Sequence, residues 1–394
     1  MATGDAQPAH PAAPHPSRRE VFFATCAPGV EPVLHEEARA LGLAKLERQV
    51  GGVHFEGPLA DAWRANLELR TAVRVLLRVA RFHATNADEL RAGAGAADWA
   101  RFLAPNGSLA VRASSTSSAL DHTLFISQCV KDAIADRFRA SHGERPSVDK
   151  EDPDLLVHAH LVRDRCTLLA DTSGESLHKR GWRRHQGRAP LAETLAAAIV
   201  LFSGWDQRAP LLDPFCGSGT LLVEAGLLAA SMAPGLLRGR FGFERWPGHD
   251  ARAWTALVER ARARIRVPPK LHLVGSDVER AAVEGARENL CAAGLEERAE
   301  LAVADARDFA PKRGWNAWIV TNPPYGERVG EVRELEPLYR RFGQVLREHC
   351  GGYHLALLSG NPRLRDALGL DPERVTALHN GGIACELLQL EIPR

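Results

Sequence analysis

The chain has 394 residues, of which 45% are hydrophobic and 25% are charged, and its formal net charge is +1. This length predicts two or three domains with separate cores, and the lack of any apolar run of about eighteen residues argues against a membrane span. The seven cysteines are scattered without any C-x-x-C pair, which argues against a disulfide framework and a structural zinc site and favours a reducing cytosol.

The first 80 residues begin with a polar tail and continue with short elements. Residues 1–18 are rich in Ala, Pro and His and lack the apolar segment of a signal peptide, so they are predicted to be a disordered tail. Strands are predicted at 22–25, 52–55 and 72–82, with helices at 30–41 and 60–69. These elements predict a small α+β domain at 19–80.

Residues 81–172 form a second predicted domain. Its predicted elements are a strand at 108–112, a helix at 121–141, and two alternating runs at 154–162 and 166–171. Because a short charged turn separates the last two runs, they predict a β-hairpin. No catalytic group of side chains is evident in this half of the sequence, which favours a binding or scaffold role.

Residues 173–189 form a basic linker. Five cations and one acid lie between residues 174 and 190, and the predicted phosphate contacts are Lys179, Arg180, Arg183 and Arg184. A second basic stretch, 252–270, has six cations and one acid. The whole chain uses Arg far more than Lys, 44 to 6, so a run of arginines is not by itself evidence of phosphate binding. A solvated charged face is the alternative for both stretches.

The segment 211–225 has the pattern of a strand, a glycine loop and a helix. Two glycines allow the backbone to approach a ligand closely, and the free N–H groups of the following helix suit a carboxylate or a phosphate. An acid at the strand end suits an ammonium group or water. The ligand-binding residues predicted here are Asp213, Cys216, Gly217, Ser218, Gly219 and Thr220.

Three further strand ends carry polar groups. Asp277 ends one predicted strand and is the expected partner of ribose hydroxyls, and Asp305 ends the next and suits an adenine amine. After an apolar run, Asn322 is followed by two prolines that forbid a continued strand. The Asn322 Oδ1 atom and the Pro323 carbonyl can accept from one planar amine, and the Tyr325 ring can stack on a flat base.

These motifs, in this order, resemble the class I methyltransferases, and Asn-Pro-Pro-Tyr resembles their amino-methylating branch. The resemblance implies S-adenosylmethionine as the cofactor, with a domain at 190–394 and a seven-stranded, mostly parallel, Rossmann-like α/β sheet. The segment 189–197 is similar to the helix that closes over the cofactor, which implies further contacts at Pro190, Glu193 and Thr194, and the resemblance also implies a cofactor contact at Asn322. A dehydrogenase is disfavoured because the third fingerprint glycine is absent and Asp277 lies far downstream.

The N-terminal half resembles a ferredoxin-like domain followed by a THUMP RNA-binding domain. The whole chain after residue 19 is most similar to the bacterial 23S rRNA guanine-N2 methyltransferases, which implies RNA (23S rRNA or a pre-ribosomal particle) as the partner, catalytic roles for Asn322, Pro323 and Tyr325, no metal and a cytoplasmic location. A tRNA substrate, adenine N6 or a glutamine amide as the methyl acceptor, and a non-catalytic RNA-binding assembly factor are the alternatives.

Overall fold

The computed structural model describes residues 18–187, 191–312, 314, 316–326 and 329–394. The tail predicted at 1–18, apart from its last residue, lies outside the described residues, as do Arg188 and Pro190. No helix in the described ranges is long and apolar enough to cross a membrane.

The N-terminal half is built on one eight-stranded sheet in the order β2-β3-β1-β4-β8-β7-β5-β6. Its strands are β1 (Glu20–Thr25), β2 (Ala44–Gln49), β3 (Gly52–Gly57), β4 (Arg74–His83), β5 (Ser108–Thr116), β6 (Ser147–Val148), β7 (Leu155–Val162) and β8 (Arg165–Asp171). Its helices are α1 (Glu31–Ala40), α2 (Leu59–Glu68), α3 (Ala87–Gly95) and α4 (Thr123–His142). Strand β4 pairs with both β1 and β8, so the sheet is continuous across the domain boundary expected near residue 80.

The C-terminal half contains a seven-stranded sheet in the order β11-β10-β9-β12-β13-β15-β14. Its strands are β9 (Leu211–Asp213), β10 (Leu273–Asp277), β11 (Ala299–Val303), β12 (Trp318–Thr321), β13 (His354–Ser359), β14 (Arg374–Asn380) and β15 (Ile383–Glu391). Its helices are α5 (Glu193–Phe202), α6 (Thr220–Ala229), α7 (Ala251–Ala263), α8 (Arg280–Ala292), α9 (Val329–His349) and α10 (Pro362–Leu368).

The predicted mostly parallel sheet is confirmed. Strands β9 to β13 pair in parallel, and β15 enters antiparallel between β13 and β14. The predicted hairpin of β7 and β8 is also confirmed. Several elements were not predicted, among them the strand β2 and the short helix α3. Most of β2 is exposed, and its sequence lacks an apolar stripe.

The segment between α6 and β10, residues 231–270, packs on the N-terminal half. The Phe243 ring stacks on Trp63 with centroids 5.6 Å apart, and Trp246 meets the Phe102 ring edge-on at 4.9 Å. Helix α7 buries its apolar face, including Trp254, in the same core. Of the arginines in the second basic stretch, Arg252, Arg260 and Arg262 lie on the exposed face of α7, and Arg264, just after the helix, pairs with Glu68 of the N-terminal half at 2.5 Å.

Candidate active site

A cavity of about 1780 Å³ opens at the carboxyl ends of the C-terminal strands. Parallel strands direct their carboxyl ends to one edge of a sheet, so the loops after β9, β10, β11 and β12 meet there. The cavity lining includes most of the predicted ligand-binding residues: Asp213, Cys216, Gly217, Ser218, Thr220, Asp277, Asp305, Asn322, Pro323 and Tyr325.

The glycine loop turns tightly between β9 and α6. Gly217 and Gly219 have φ angles of +51° and +77°, which side-chain-bearing residues rarely adopt. A Cβ on Gly219 would lie 3.0 Å from the Ala286 Cβ on α8, so this position also needs glycine for close packing. Cys216 is 5% exposed, and burial raises the pKa of its thiol far above the ordinary value, so it is a poor nucleophile.

Asp213 is the buried acid at the base of the cavity. Its side chain is 2% exposed, and its Oδ1 accepts hydrogen bonds from Thr321 Oγ1 at 2.6 Å and from the Phe215 N–H at 3.2 Å. Burial raises the pKa of this carboxyl to about 7, and the nearby negative charge of Asp277 adds to the effect. A cationic ligand group would favour the ionised form.

The two acids on the neighbouring strands are positioned differently. Asp277 Oδ2 accepts from the Gly217 N–H at 2.9 Å and Oδ1 from the Glu279 N–H at 3.0 Å, which ties β10 to the glycine loop. Asp305 accepts from Arg307 Nε at 2.9 Å and Nη2 at 2.6 Å, and this contact lowers the pKa of its carboxyl. Asp305 thus lies at the cavity with its carboxylate already paired.

The Asn-Pro-Pro-Tyr turn presents an unused acceptor. Asn322 Oδ1 is buried and has no hydrogen-bond partner among the described residues. The Pro324 carbonyl accepts from the Tyr339 hydroxyl of α9 at 3.1 Å, which anchors the turn from behind. A buried acceptor without a donor is costly, so an arriving N–H group would satisfy it.

The linker differs most from the sequence-based expectation. Arg180 is 2% exposed and lies 3.4 Å from Glu224 of α6, and it donates to the carbonyls of Leu177 and Arg70. Its predicted phosphate contact is therefore corrected, because its guanidinium is enclosed between the two halves of the protein. Lys179 is exposed and pairs with Glu175 at 2.7 Å.

Arg183 also points inward. It donates to Glu193 at 2.7 Å, to Ser218 Oγ at 3.2 Å and to Thr220 Oγ1 at 3.1 Å, so it connects the linker to the glycine loop. Its predicted phosphate contact is corrected because its guanidinium is already engaged by these three partners within the C-terminal half, whereas Arg184 is exposed. The sequence could not show this, because two of the three acceptors lie 35 and 37 residues away.

Asn289 of α8 is a residue that the sequence analysis missed. Its Oδ1 accepts from the N–H groups of Arg184 and His185, and its Nδ2 donates to the carbonyls of His185 and Ser218 at 2.9 Å each. The side chain is fully buried and thereby holds the linker against the glycine loop. A single Asn in a helix carries no local signal of such a role.

The predicted contacts on α5 are not at the cavity surface. Glu193 and Thr194 are each 4% exposed, and neither belongs to the lining in the part of the chain that the structure describes. Glu193 instead pairs with Arg183. The described residues also contain no group of three His, Cys, Asp or Glu side chains that could hold a metal ion.

The sheet order, the glycine loop after β9 and the Asn-Pro-Pro-Tyr turn after β12 together define a class I methyltransferase fold. Three family models match the chain: an RMKL-like methyltransferase domain at residues 180–389, an RlmL ferredoxin-like domain at 21–76 and a THUMP domain at 84–171. The chain therefore belongs to the RMKL-like methyltransferase domain family, with a THUMP domain and a ferredoxin-like domain before it.

Individual relatives agree with this assignment. Two proteins named Ribosomal RNA large subunit methyltransferase K/L, from Methylococcus capsulatus and Syntrophotalea carbinolica, are each 43% identical over 94% of this chain. The chain spans about half the length of these relatives, 51% and 53% respectively. The crystal structure of SMU.472 complexed with SAH is 31% identical and superposes with a TM-score of 0.87, over 95% of this chain and 99% of that one.

We predict that Arg180→Ala lowers the free energy of unfolding by about 3–5 kcal/mol, because it leaves the buried Glu224 carboxylate without this partner. Urea denaturation followed by tryptophan fluorescence measures this change. The control is Lys179→Ala, which removes an exposed pair and should cost no more than about 1 kcal/mol. Equal, small effects of the two substitutions would contradict the buried role of Arg180.

Proposed function

We propose that this protein transfers a methyl group from S-adenosylmethionine to the exocyclic N2 amine of a guanosine in 23S rRNA. The observation that carries the proposal is the buried Oδ1 of Asn322 at the cavity, which has no hydrogen-bond partner among the residues that the structure describes. This acceptor lies in an Asn-Pro-Pro-Tyr turn next to the glycine loop that follows the adjacent strand β9. An acceptor in this place suits an amine that arrives with two N–H bonds.

The residues around the glycine loop fit S-adenosylmethionine. Asp213 suits its ammonium group, because a positive charge relieves the cost of a buried carboxylate whose pKa is raised to about 7. Asp277 retains lone pairs for ribose hydroxyls, and the N-terminus of α6 suits the carboxylate. The structural relative SMU.472, solved with SAH, supports the same ligand class.

The contacts of the turn indicate how it would activate the amine. The N2 lone pair of guanine is delocalised into the ring, which makes the amine a poor nucleophile. When two oxygens accept hydrogen bonds from the two N–H groups, electron density shifts back to the nitrogen. Asn322 Oδ1 is one acceptor, and the Pro323 carbonyl is the other, since the Pro324 carbonyl already binds Tyr339. When bound, the cofactor would supply an already activated methyl group and leave as S-adenosylhomocysteine, and the methylated amine would lose one proton to water. The residues therefore contribute mainly orientation and charge stabilisation.

The size of the cavity supports an RNA base as the second ligand. At about 1780 Å³ it exceeds the roughly 300–1,000 Å³ typical of a small-molecule site, so it has room for a cofactor and a base. The base would have to leave its helix and stack on Tyr325. The THUMP domain and the ribosomal RNA methyltransferase relatives favour RNA over DNA or protein, and a ribosomal substrate implies a cytoplasmic protein.

Nucleoside mass spectrometry tests the proposed function. Purified protein and S-adenosylmethionine are incubated with protein-free, unmodified 23S rRNA and, separately, with bulk tRNA. N2-methylguanosine in the 23S sample alone is the expected result. The same product in tRNA alone would show that the substrate is tRNA. If neither RNA is methylated, the assay is repeated on pre-ribosomal particles, and no product there would favour a non-catalytic RNA-binding protein.

We predict that Asn322→Ala abolishes methyl transfer, a loss of more than about a hundredfold, because one of the two amine acceptors disappears. Affinity for S-adenosylhomocysteine should change less than about threefold, since the glycine loop and Asp213 are intact. Methylation kinetics and calorimetry measure the two quantities on the same preparation. Normal turnover, or a loss of ligand affinity as large as the loss of rate, would disprove this role of Asn322.

We also predict that S-adenosylhomocysteine binds more tightly as pH rises towards 7. Burial raises the pKa of Asp213 to about 7, so the carboxyl is mostly neutral at pH 6 and must lose a proton to receive an ammonium group. The Kd should fall roughly fivefold between pH 6 and pH 7 and then level off. Asp213→Asn should bind weakly at every pH, whereas the exposed Asp308→Asn should keep the wild-type profile. A flat wild-type profile would contradict the assignment.

A further inference from the structure

The hairpin of β14 and β15 forms one wall of the cavity. Its two-residue turn, Gly381 and Gly382, lies between the strand ends Asn380 and Ile383, and all four residues line the cavity. Gly381 has a φ of +60°, and in the described part of the chain no atom lies within 4 Å of a Cβ built on either glycine. The hairpin tip is therefore open towards its surroundings and lies at the proposed base-binding end of the cavity.

One side chain of this hairpin contacts the Asn-Pro-Pro-Tyr turn. Asn380 Nδ2 donates a hydrogen bond of 2.6 Å to the Tyr325 hydroxyl, across 55 residues of sequence. Neither residue is fully buried, and both line the cavity. The contact therefore fixes the outer end of the Tyr325 ring, the end farthest from its backbone.

The ring is also confined from one side. A Cβ on Gly360, in the loop after β13, would lie 2.5 Å from Tyr325 Cδ2 and 2.9 Å from Cε2. Such distances are too short for a real Cβ, so the ring packs directly on the glycine backbone. Gly360 and Asn380 together define where the ring lies and which way it faces.

The orientation of this ring matters for the proposed reaction, because the ring determines the plane and the position of a base that stacks on it. An error of about 1 Å in the reacting amine is enough to slow an aligned displacement severely. Packing against Gly360 and the neighbouring hydrophobic clusters limits the rotamers of the ring, and the hydroxyl anchor removes the freedom that this packing leaves. The anchor also explains a tyrosine rather than a phenylalanine at position 325.

We propose that Asn380 is a positioning residue, which fixes the Tyr325 ring as the platform for the target base through its hydrogen bond to the hydroxyl. The inference rests on the proposed function, because it concerns the rate at which a base bound on Tyr325 is methylated. Asn380 acts only through Tyr325 and has no assigned contact with the cofactor.

A double-mutant cycle tests this coupling. Single-turnover methylation of 23S rRNA is measured at saturating S-adenosylmethionine for Asn380→Ala, Tyr325→Phe and the double variant. Asn380→Ala should slow the reaction roughly tenfold, and Tyr325→Phe at least as much, because it also removes the contact of the hydroxyl with Cys385. The double variant should be no slower than Tyr325→Phe, because Asn380 acts through the hydroxyl that this substitution removes. Multiplicative effects would overturn the proposal.

A conservative variant separates positioning from general structural damage. Asn380→Asp preserves a hydrogen bond between the two side chains, but the direction is reversed, because the Tyr325 hydroxyl donates to the carboxylate. Its rate should lie within about threefold of wild type, but the same substitution in the Tyr325→Phe background should bring no recovery. Affinity for S-adenosylhomocysteine should be unchanged throughout, and Asn106→Ala, on an exposed loop, is the matched control. An Asn380→Asp rate as low as that of Asn380→Ala would count against the hydrogen bond.

A measurement without RNA keeps the inference independent of the substrate. The chain has only three tyrosines, so a sample with ¹³Cζ-labelled tyrosine gives three resonances, and Tyr325→Phe identifies one of them. Asn380→Ala should shift the Tyr325 resonance and leave those of Tyr339 and Tyr353 in place, which also verifies the fold. An unmoved Tyr325 resonance overturns the proposal. Absence of product from the wild type would instead overturn the proposed function, and the resonances would still decide whether Asn380 holds Tyr325.

Discussion

The parallel pairing of β9 with β12 is the constraint on which the site depends. It places the glycine loop and the Asn-Pro-Pro-Tyr turn side by side, although they are more than 100 residues apart in sequence. The Thr321 hydroxyl closes this junction with its hydrogen bond of 2.6 Å to Asp213. The acid proposed to bind the ammonium group and the amide proposed to accept from the target amine are thereby held on one sheet edge, where the proposed methyl donor and methyl acceptor would meet.

The linker stabilises this arrangement from the other side of the glycine loop. Arg183 and Asn289 bind Ser218, and Arg180 pairs with Glu224 on the helix that follows the loop. The N-terminal half and the glycine loop are thus joined through buried, hydrogen-bonded groups rather than through a flexible linker. In the linker, Lys179 and Arg184 are exposed, and they remain the proposed contacts to RNA phosphates.

The sequence predicted the elements that depend on local pattern. Alternating apolar runs located the strands, and the motifs at strand ends located Asp213, Asp277 and Asn322 at the cavity. It failed where partners are distant: a count of charges cannot show that Arg180 faces Glu224, 44 residues away, or that Asn380 meets Tyr325. These contacts exist only after the sheets are packed, so no local pattern records them.

The central claim is that the amide oxygen of Asn322 receives the exocyclic amine of guanine. A crystal structure of the protein with S-adenosylhomocysteine and a guanosine nucleotide tests it most directly. The account predicts that guanine N2 lies about 2.7–3.2 Å from both Asn322 Oδ1 and the Pro323 carbonyl, with the base stacked on Tyr325. A bound guanine whose N2 points away, while Asn322 Oδ1 accepts from another protein group, would contradict the account.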